Sequence, residues 1–512
     1  MQSYHETAPE MTSEKTDLLK ELEENVTAVQ DRLGYSQDLV VKIIPNSDRF
    51  TIALLYMDGL VDTQVVNQSI VHSLLARNRS TWMAEAAART SPLLYLQDEV
   101  LTVGEIGFFT NMDHLFDRLM SGDVILLMEG YAEGLNIGAA GWEDRNVSEP
   151  TSQAVVRGPM EGFTENIRTN TALIRRKIKD PQLWLHMRAV GTVTKTNVAV
   201  MYINHIADEG IVQEVFRRLD KINIDGILES GYIEEFIQDK FWTPFPTVYN
   251  SERPDTIAGG LLEGRVAILV DGTPFVLLVP AFFVQFFQSS EDYYQRSDVS
   301  SLMRLIRYLA FLIAMLAPSL YIAVTTFHQE MLPTNLLINL AAQREGVPFP
   351  AFIEALLMEI TFEILREAGV RMPKTVGQAV SIVGTLVIGQ SAVEAGVVSA
   401  VMVIIVAITA ISSFVLPANN ISISVRMIRF VLMGLAASFG LVGIMIGLFA
   451  LMFHLNSLRS FGVPYMSTFA PFSFSNHKDS LFRVPWTRML TRPMETGKRN
   501  KVRQSESSKS KI

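Results

Sequence analysis

The sequence predicts a water-soluble α/β N-terminal region, made of two similar small α/β units, followed by an α-helical polytopic membrane domain. Three observations predict it. Charge is dense over residues 1–265 and almost vanishes over 376–416 and 430–453. Several apolar runs reach the roughly 20 residues that cross a ~30 Å hydrocarbon core as helix. Two stretches of the soluble half repeat each other residue by residue. At 512 residues the chain has room for two or three such units. The boundaries read are 1–145 and 146–290 for the two α/β units, 291–455 for a membrane domain with four to six helical spans, and 456–512 for a basic tail ending in disordered coil.

In the first unit, alternation marks a strand at Thr51–Met57 and an amphipathic helix from Thr63 to Ala76. A second strand, Asp123–Met128, ends in the turn Glu129-Gly130. The second unit repeats this with a strand at Asn197–Ile203, a helix at Ile211–Ile222, and a strand at Val266–Val270 before the turn Asp271-Gly272. Ala-Leu-Leu-Tyr56-Met with Asp62 matches Ala-Val-Met-Tyr202-Ile with Asp208, at an offset of 146 residues. The Gly122–Gly130 run matches Gly264–Gly272 at an offset of 142. A duplicated unit is inferred, of a kind that builds assembly or binding surfaces.

Tyr308–Phe327 and Phe430–Phe453 are each long enough to span, and both follow arginine pairs, Arg304/Arg307 and Arg426/Arg429. Val376–Leu416 holds 41 residues whose only formal charge is Glu394, enough for two spans. Pro274–Phe287 is too short and reads as a strand followed by an interfacial segment. Phe349–Ala368 has the length but carries four glutamates. Lys and Arg concentrate on the cytoplasmic side of membranes, so Arg304, Arg307 and the basic tail put both termini inside. Four clear spans then leave Arg371, Lys374, Arg426 and Arg429 outside, in conflict with that rule.

The net charge of −9 is unevenly spread: Leu455–Ile512 holds 11 Lys/Arg and 3 Asp/Glu, leaving −17 for the rest. So acidic a body argues against nucleic acid as a partner. Cysteine is absent, the eight histidines have no metal-ligand spacing, and P-loop, H-E-x-x-H and G-x-S-x-G patterns are missing. No enzyme, metal or cofactor is expected. The opening residues lack an apolar core, so no signal peptide is expected there.

Two groups of intramembrane residues call for explanation. On a helical projection of Phe349–Ala368, Glu359, Glu363 and Glu367 share a polar face near Arg366, whereas Glu354 falls among apolar residues. A central carboxylate costs about 2.5–3.5 kcal/mol on insertion scales. Glu354 is therefore either an ion-path or gating carboxylate or half of a buried pair with an arginine such as Arg366 or Arg371; Glu394 is the second candidate intramembrane carboxylate. Gly377, Gln378, Ser381, Gly384, Thr385 and Ser391 gather on one side of the next helix, with Ile388 inside the stripe. Such a stripe lines a narrow water path with Ile388 as its collar, or lets helices pack closely.

The chain also carries a series of motifs: Arg157-Gly158-Pro159, Phe163-Thr164-Glu165-Asn166, Pro244-Phe245-Pro246, Glu252-Arg253-Pro254-Asp255 and Asp271-Gly272-Thr273-Pro274. Further on come Glu291-Asp292-Tyr293-Tyr294, Pro348-Phe349-Pro350, Phe362–Gly369, Ile388-Gly389-Gln390 and Phe461-Gly462-Val463-Pro464-Tyr465. From roughly 146 to 490 it resembles the A subunit of bacterial spore germinant receptors, the GerA family; the first 145 residues match loosely. The resemblance implies a nutrient-sensor subunit in the spore inner membrane, working with a transporter-like B subunit and a lipoprotein C subunit. It further implies a homo-oligomeric, pentameric ring around a cation-permeable pore, opened when a nutrient triggers germination. A secondary transporter and a signalling scaffold without its own pore are the alternatives.

Overall fold

The computed structural model describes residues 17–44, 51–76, 91–141, 149–150, 153, 155–373, 387–470 and 476–504. Ten strands form two five-stranded antiparallel sheets. The first holds β1 (Leu39–Ile44), β2 (Ile52–Met57), β3 (Ile106–Phe109), β4 (Val124–Met128) and β5 (Gly134–Ile137) in the order β1-β2-β4-β5-β3. The second holds β6 (Leu183–Val190), β7 (Thr196–Ile203), β8 (Tyr249–Ser251), β9 (Val266–Val270) and β10 (Val276–Val279) in the equivalent order β6-β7-β9-β10-β8. Register repeats as well: Ala53 faces Leu127 as Ala199 faces Leu269, the counterparts at the two sequence offsets. The units are duplicates in topology.

Equivalent residues do equivalent work. Asp62 caps the helical run starting at Thr63, accepting from the Gln64 and Val65 amides at 2.8 and 3.4 Å. Asp208 caps a helix in the second unit, accepting from the Gly210 amide at 2.8 Å. Gly130 and Gly272 take positive φ, +85° and +92°, in the hairpin turns after β4 and β9, a conformation that penalises any Cβ. Removing one such cap costs about 1 kcal/mol, so Asp62→Ala is expected to raise amide exchange at 64–66 by several-fold without loss of the fold. Hydrogen exchange reads this directly.

Each sheet is the middle of three layers, because central strands such as Val124–Met128 and Val266–Val270 bury both faces. One face of the first sheet packs on α1 (Leu22–Arg32) and α2 (Met112–Leu119). Its other face packs on the residues of 63–74 and 93–100. In the second unit, α3 (Ile167–Lys177) and α6 (Pro254–Leu262) cover one face, while α4 (Glu209–Leu219) and α5 (Ser230–Ile237) cover the other. Helix α3 joins the units. Arg175 leaves it to grip Asp38 of the first unit through Nε and Nη2, at 2.8 and 3.0 Å, and to donate to the Leu183 carbonyl at 2.6 Å.

After β10 the chain enters a helical region through a 3₁₀ turn, Phe283–Phe287, whose rings interlock with the first long helix. Phe287 stacks on Tyr308 at 4.5 Å and meets Phe311 edge-on at 5.2 Å. The segment read as interfacial is thus buried, and makes the second sheet's core continuous with the base of the helices. The helices include α7 (Ser297–Thr326), α8 (Thr334–Arg344), α9 (Ala351–Arg371), α10 (Ala400–Phe414) and α11 (Asn419–Ser457). Among the described residues, α7 and α11 are long and apolar enough to cross a membrane, and α10 is apolar but shorter.

The sequence reading of Phe430–Phe453 as one straight span needs correction. Helix α11 breaks at Gly440, whose φ of +59° and ψ of −139° are not helical. Beyond it the chain folds back: a Cβ on Gly443 would fall 2.2 Å from the Leu435 carbonyl, and one on Gly447 would meet Leu432 and Leu435. Only glycine allows both the sharp turn and so close a return. The arms, 419–439 and 441–457, are about 31 and 25 Å long at ~1.5 Å per residue. The first arm begins and the second ends against the second unit: Ser424 donates to the Pro244 carbonyl, and Thr243 meets His454 at 2.9 Å.

The hairpin tip at Gly440 lies against Phe327 and His328, at the far end of α7. Helix α10 starts at that far level, where Ser399 approaches Tyr321, and ends at the near level, where Ser422 bonds the Ser413 carbonyl. Helix α9 runs the same way, from Glu354 beside Ser399 to Arg366 beside Ser413. Arg426 and Arg429 therefore sit toward the soluble units, as does Arg371 at the end of α9; Lys374 lies outside the described residues.

The chain after α11 is also more ordered than its composition suggests. A short hairpin of β11 (Arg459–Ser460) and β12 (Val463–Pro464) follows, with Tyr465 fully buried. Thr496, also fully buried, sets its carbonyl beside Gly264 where the first unit sets Ala140 beside Gly122. Lys498, Arg499 and Arg503 pair with Asp208, Glu209 and Glu263. The basic residues read as a solvated end are thus held as far as Gln504 by carboxylates of the acidic unit; 505–512 lie outside the described residues.

Candidate functional site

The helical region buries ionisable side chains at three levels. Helix α9 starts after Pro350, and its first turn points Glu354 inward. Glu354 is fully buried; it accepts from the Ser399 amide at 3.0 Å and pairs with Arg344 of α8 at 3.3 Å. The expected partners, Arg366 and Arg371, are elsewhere. They stand at least 12 residues down the same helix, about 18 Å away. Arg366 donates to Ser413 at 2.7 Å, and Arg371 pairs with Glu367 at 2.6 Å.

The polar face of α9 splits at the middle level. Glu367 is exposed, whereas Glu359 is buried against Arg429 at 2.9 Å. Glu363 joins Arg426 at 2.6 Å and Arg429 at 3.6 Å. Two arginines one turn apart on the hairpin thus face two glutamates one turn apart on α9, the geometry that i, i+3 and i, i+4 spacing allows. Sequence reasoning missed this pairing. Its signal was present, since Arg426 and Arg429 open an apolar run in which no carboxylate is near in sequence.

At the lowest level Asp292 accepts from Arg304 and Arg307 of α7 at 2.9 and 2.8 Å. Arg304 also reaches Asp479 at 2.8 Å, and the Tyr293 hydroxyl donates to the same carboxylate at 2.7 Å. Burial pushes the Asp479 carboxyl above the usual range, and Arg304 opposes that shift. The start of α7 is therefore bolted to both the linker before it and the segment after the last helix.

Of the proposed stripe, Gly377, Gln378, Ser381, Gly384 and Thr385 lie outside the described residues. Ile388 and Ser391 lie on a helical stretch, 387–394, that packs Gly389 against Val403 of α10 at a would-be Cβ distance of 3.5 Å. Ile388 is 38% exposed, and Gln390, Ser391 and Glu394 are exposed with it. Glu394 is not buried; it accepts from Gln390 at 2.8 Å one turn earlier. The structure thus separates the two candidate carboxylates: Glu354 is locked inside and Glu394 stands on an open face. Among the described residues no cluster of His, Asp and Glu suits a metal ion.

Two duplicated α/β units fused to ion-paired helices of this length and apolarity define an integral membrane protein whose soluble part is anchored to its helices. The chain belongs to the GerA family, matching the description "Bacillus/Clostridium GerA spore germination protein" over residues 27–495, and it is of the germinant receptor A subunit class. It is 50% identical to spore germination protein KA of Bacillus subtilis over 487 residues, 95% of this chain and 88% of that one. It is 44% identical to the uncharacterized membrane protein YfkQ of Bacillus subtilis over 477 residues, 93% of this chain and 90% of that one. Among solved structures, it is similar to the N-terminal domain of the A subunit of the Bacillus megaterium spore germinant receptor GerK3, with 40% identity and a TM-score of 0.42. That match covers 53% of this chain and 99% of the other.

Proposed function

We propose that this germinant receptor subunit forms a homo-oligomeric, pentameric ligand-gated cation channel in the spore inner membrane, with the stretch 377–391 lining its path. The carrying observation is the open polar face of residues 387–394, where Gln390, Ser391 and Glu394 stand exposed beside apolar α10. Lipid offers such groups no hydrogen-bond partner, so the face suits water or a second copy of the chain. Ile388 on that face suits a hydrophobic collar that closes by dewetting. The soluble units supply ring contacts on this reading, and receptor B and C subunits bring the nutrient signal.

The common level of the soluble units, the hairpin ends and the C-terminal segment supports a cytoplasmic position for both termini. Phe241 and Trp242, 60% and 83% exposed, stand next to Lys240, which reaches Ser457 at the end of the returning arm. Such an aromatic pair suits the headgroup zone. The test is Ile388→Ala: the purified assembly in liposomes is expected to pass cations several-fold faster without stimulus, and spores to germinate without nutrient. Unchanged leak and dormancy at normal protein level would remove Ile388 from the gate.

A further inference from the structure

A cavity of about 440 Å³ opens between α6 of the second unit, the linker before α7, and the C-terminal segment. Its size lies within the range of small-molecule sites, about 300–1,000 Å³. Three features give it chemical character. Its lining includes bare, exposed helix backbone at Gly259, where an added Cβ would meet nothing within 4 Å. Its walls include Tyr249, Tyr293, Tyr294 and Trp486, flat faces suited to an apolar or aromatic body. And its polar groups are incompletely paired.

Arg265 lines the cavity at 5% exposure, with Nε and Nη1 making no hydrogen bond among the described residues. Its third nitrogen reaches Glu263 at only 3.4 Å, and Glu263 is shared with Arg503 at 3.1 Å. Arg492, also lining, spends its donors on the Leu262, Asn500 and Val502 carbonyls. Asp255 does not balance these charges, because Arg253 and the Tyr294 hydroxyl already hold it at 2.7 Å each. Two guanidiniums, Arg265 and Arg503, thus share the carboxylate of Glu263. Gln285, 7% exposed, adds a buried carbonyl oxygen without a donor among the described residues. Unmet buried donors and acceptors are costly, and charge-assisted bonds to guanidinium are the strong ones.

We propose that this cavity binds a small organic carboxylate. The carboxylate would sit on Arg265, an N–H or O–H of the ligand would donate to Gln285, and an apolar or aromatic body would lie among the rings. The site goes beyond the pore reading and does not depend on it. Its position gives it a consequence, since Tyr293 is both a wall of the cavity and a donor to Asp479, which holds Arg304 of α7. A ligand there would touch the bolt at the base of the first membrane helix.

The probe is N-acetyl-L-phenylalanine, which has the carboxylate, one N–H and one ring; its amide is the uncharged control. Calorimetric titration of the detergent-solubilised full chain is expected to give a saturable one-site isotherm for the acid and at least about tenfold weaker binding for the amide. Arg265→Gln is expected to weaken the acid by a similar factor. Gly259→Leu keeps every charge, enters open space and should abolish binding while leaving the melting temperature unchanged or higher. Absence of saturable heat from the wild-type chain overturns the proposal. So does equal binding of acid and amide, equal binding of inorganic phosphate, or full binding by a folded Gly259→Leu variant.

Discussion

Arg175→Met is expected to lower the stability of the soluble region by about 3–5 kcal/mol, the usual consequence of removing one partner of a buried pair. Arg175 is 1% exposed and Asp38 8% exposed, so neither can turn to water when the other is lost. The two bonds to Asp38 form a fork, which fixes the angle of α3 as well as its distance from the first unit. The loss should therefore concentrate at the junction. Around it Ser36 accepts from the Leu185 amide at 3.0 Å, and Trp184 donates to the Arg32 carbonyl at 3.2 Å. Hydrogen exchange on the solubilised full chain should speed up first at residues 36–40 and 183–187. The double variant Asp38→Leu/Arg175→Met leaves no charge stranded and should regain most of the loss. A double variant as unstable as the single one would mean that packing, not charge, holds the units together.

Why was so much of the soluble fold legible? Its period-2 strands sit between turn residues, and duplication doubles the signal: Tyr56 with Asp62 and Tyr202 with Asp208 mark the same strand-to-helix step. The helical region is different. Apolar composition reports that a segment suits lipid, but says little about where it turns. Gly440 looks like any glycine in an apolar run, where glycines are common, and nothing local distinguishes it from Gly434 or Gly447. Its role emerges only from the return of Gly443 onto Leu435. The same limit applies to ion pairs. Glu354 was recognisable as a buried carboxylate from the helical projection of α9, yet its partner Arg344 sits on the preceding helix, out of reach of any periodicity argument. The C-terminal segment misled for a further reason: a run of lysines and arginines reads as solvated unless its carboxylate partners, here Asp208, Glu209 and Glu263, are known to be adjacent.

Arg429→Met should be the most damaging single change in the helical region. Arg429 and Glu359 are both almost fully buried, and Glu363 leans on Arg429 as well as on Arg426. Deleting the guanidinium strands one carboxylate and weakens the hold on a second, at a depth where water is scarce; the expected cost is again about 3–5 kcal/mol. The pair also has a mechanical role, because with Glu363–Arg426 it ties α9 to the outgoing arm of the hairpin. With it broken, the near end of α9 keeps Arg366 on Ser413 and Glu363 on Arg426. Arg429→Met is therefore expected to lower the melting temperature of the solubilised protein and its abundance in spore membranes. Glu359→Gln/Arg429→Met should recover both, since a neutral amide needs no counter-charge. A single variant that melts like the wild-type chain would show that Glu359 finds water or a proton where it stands, and α9 would then be held by its apolar contacts alone.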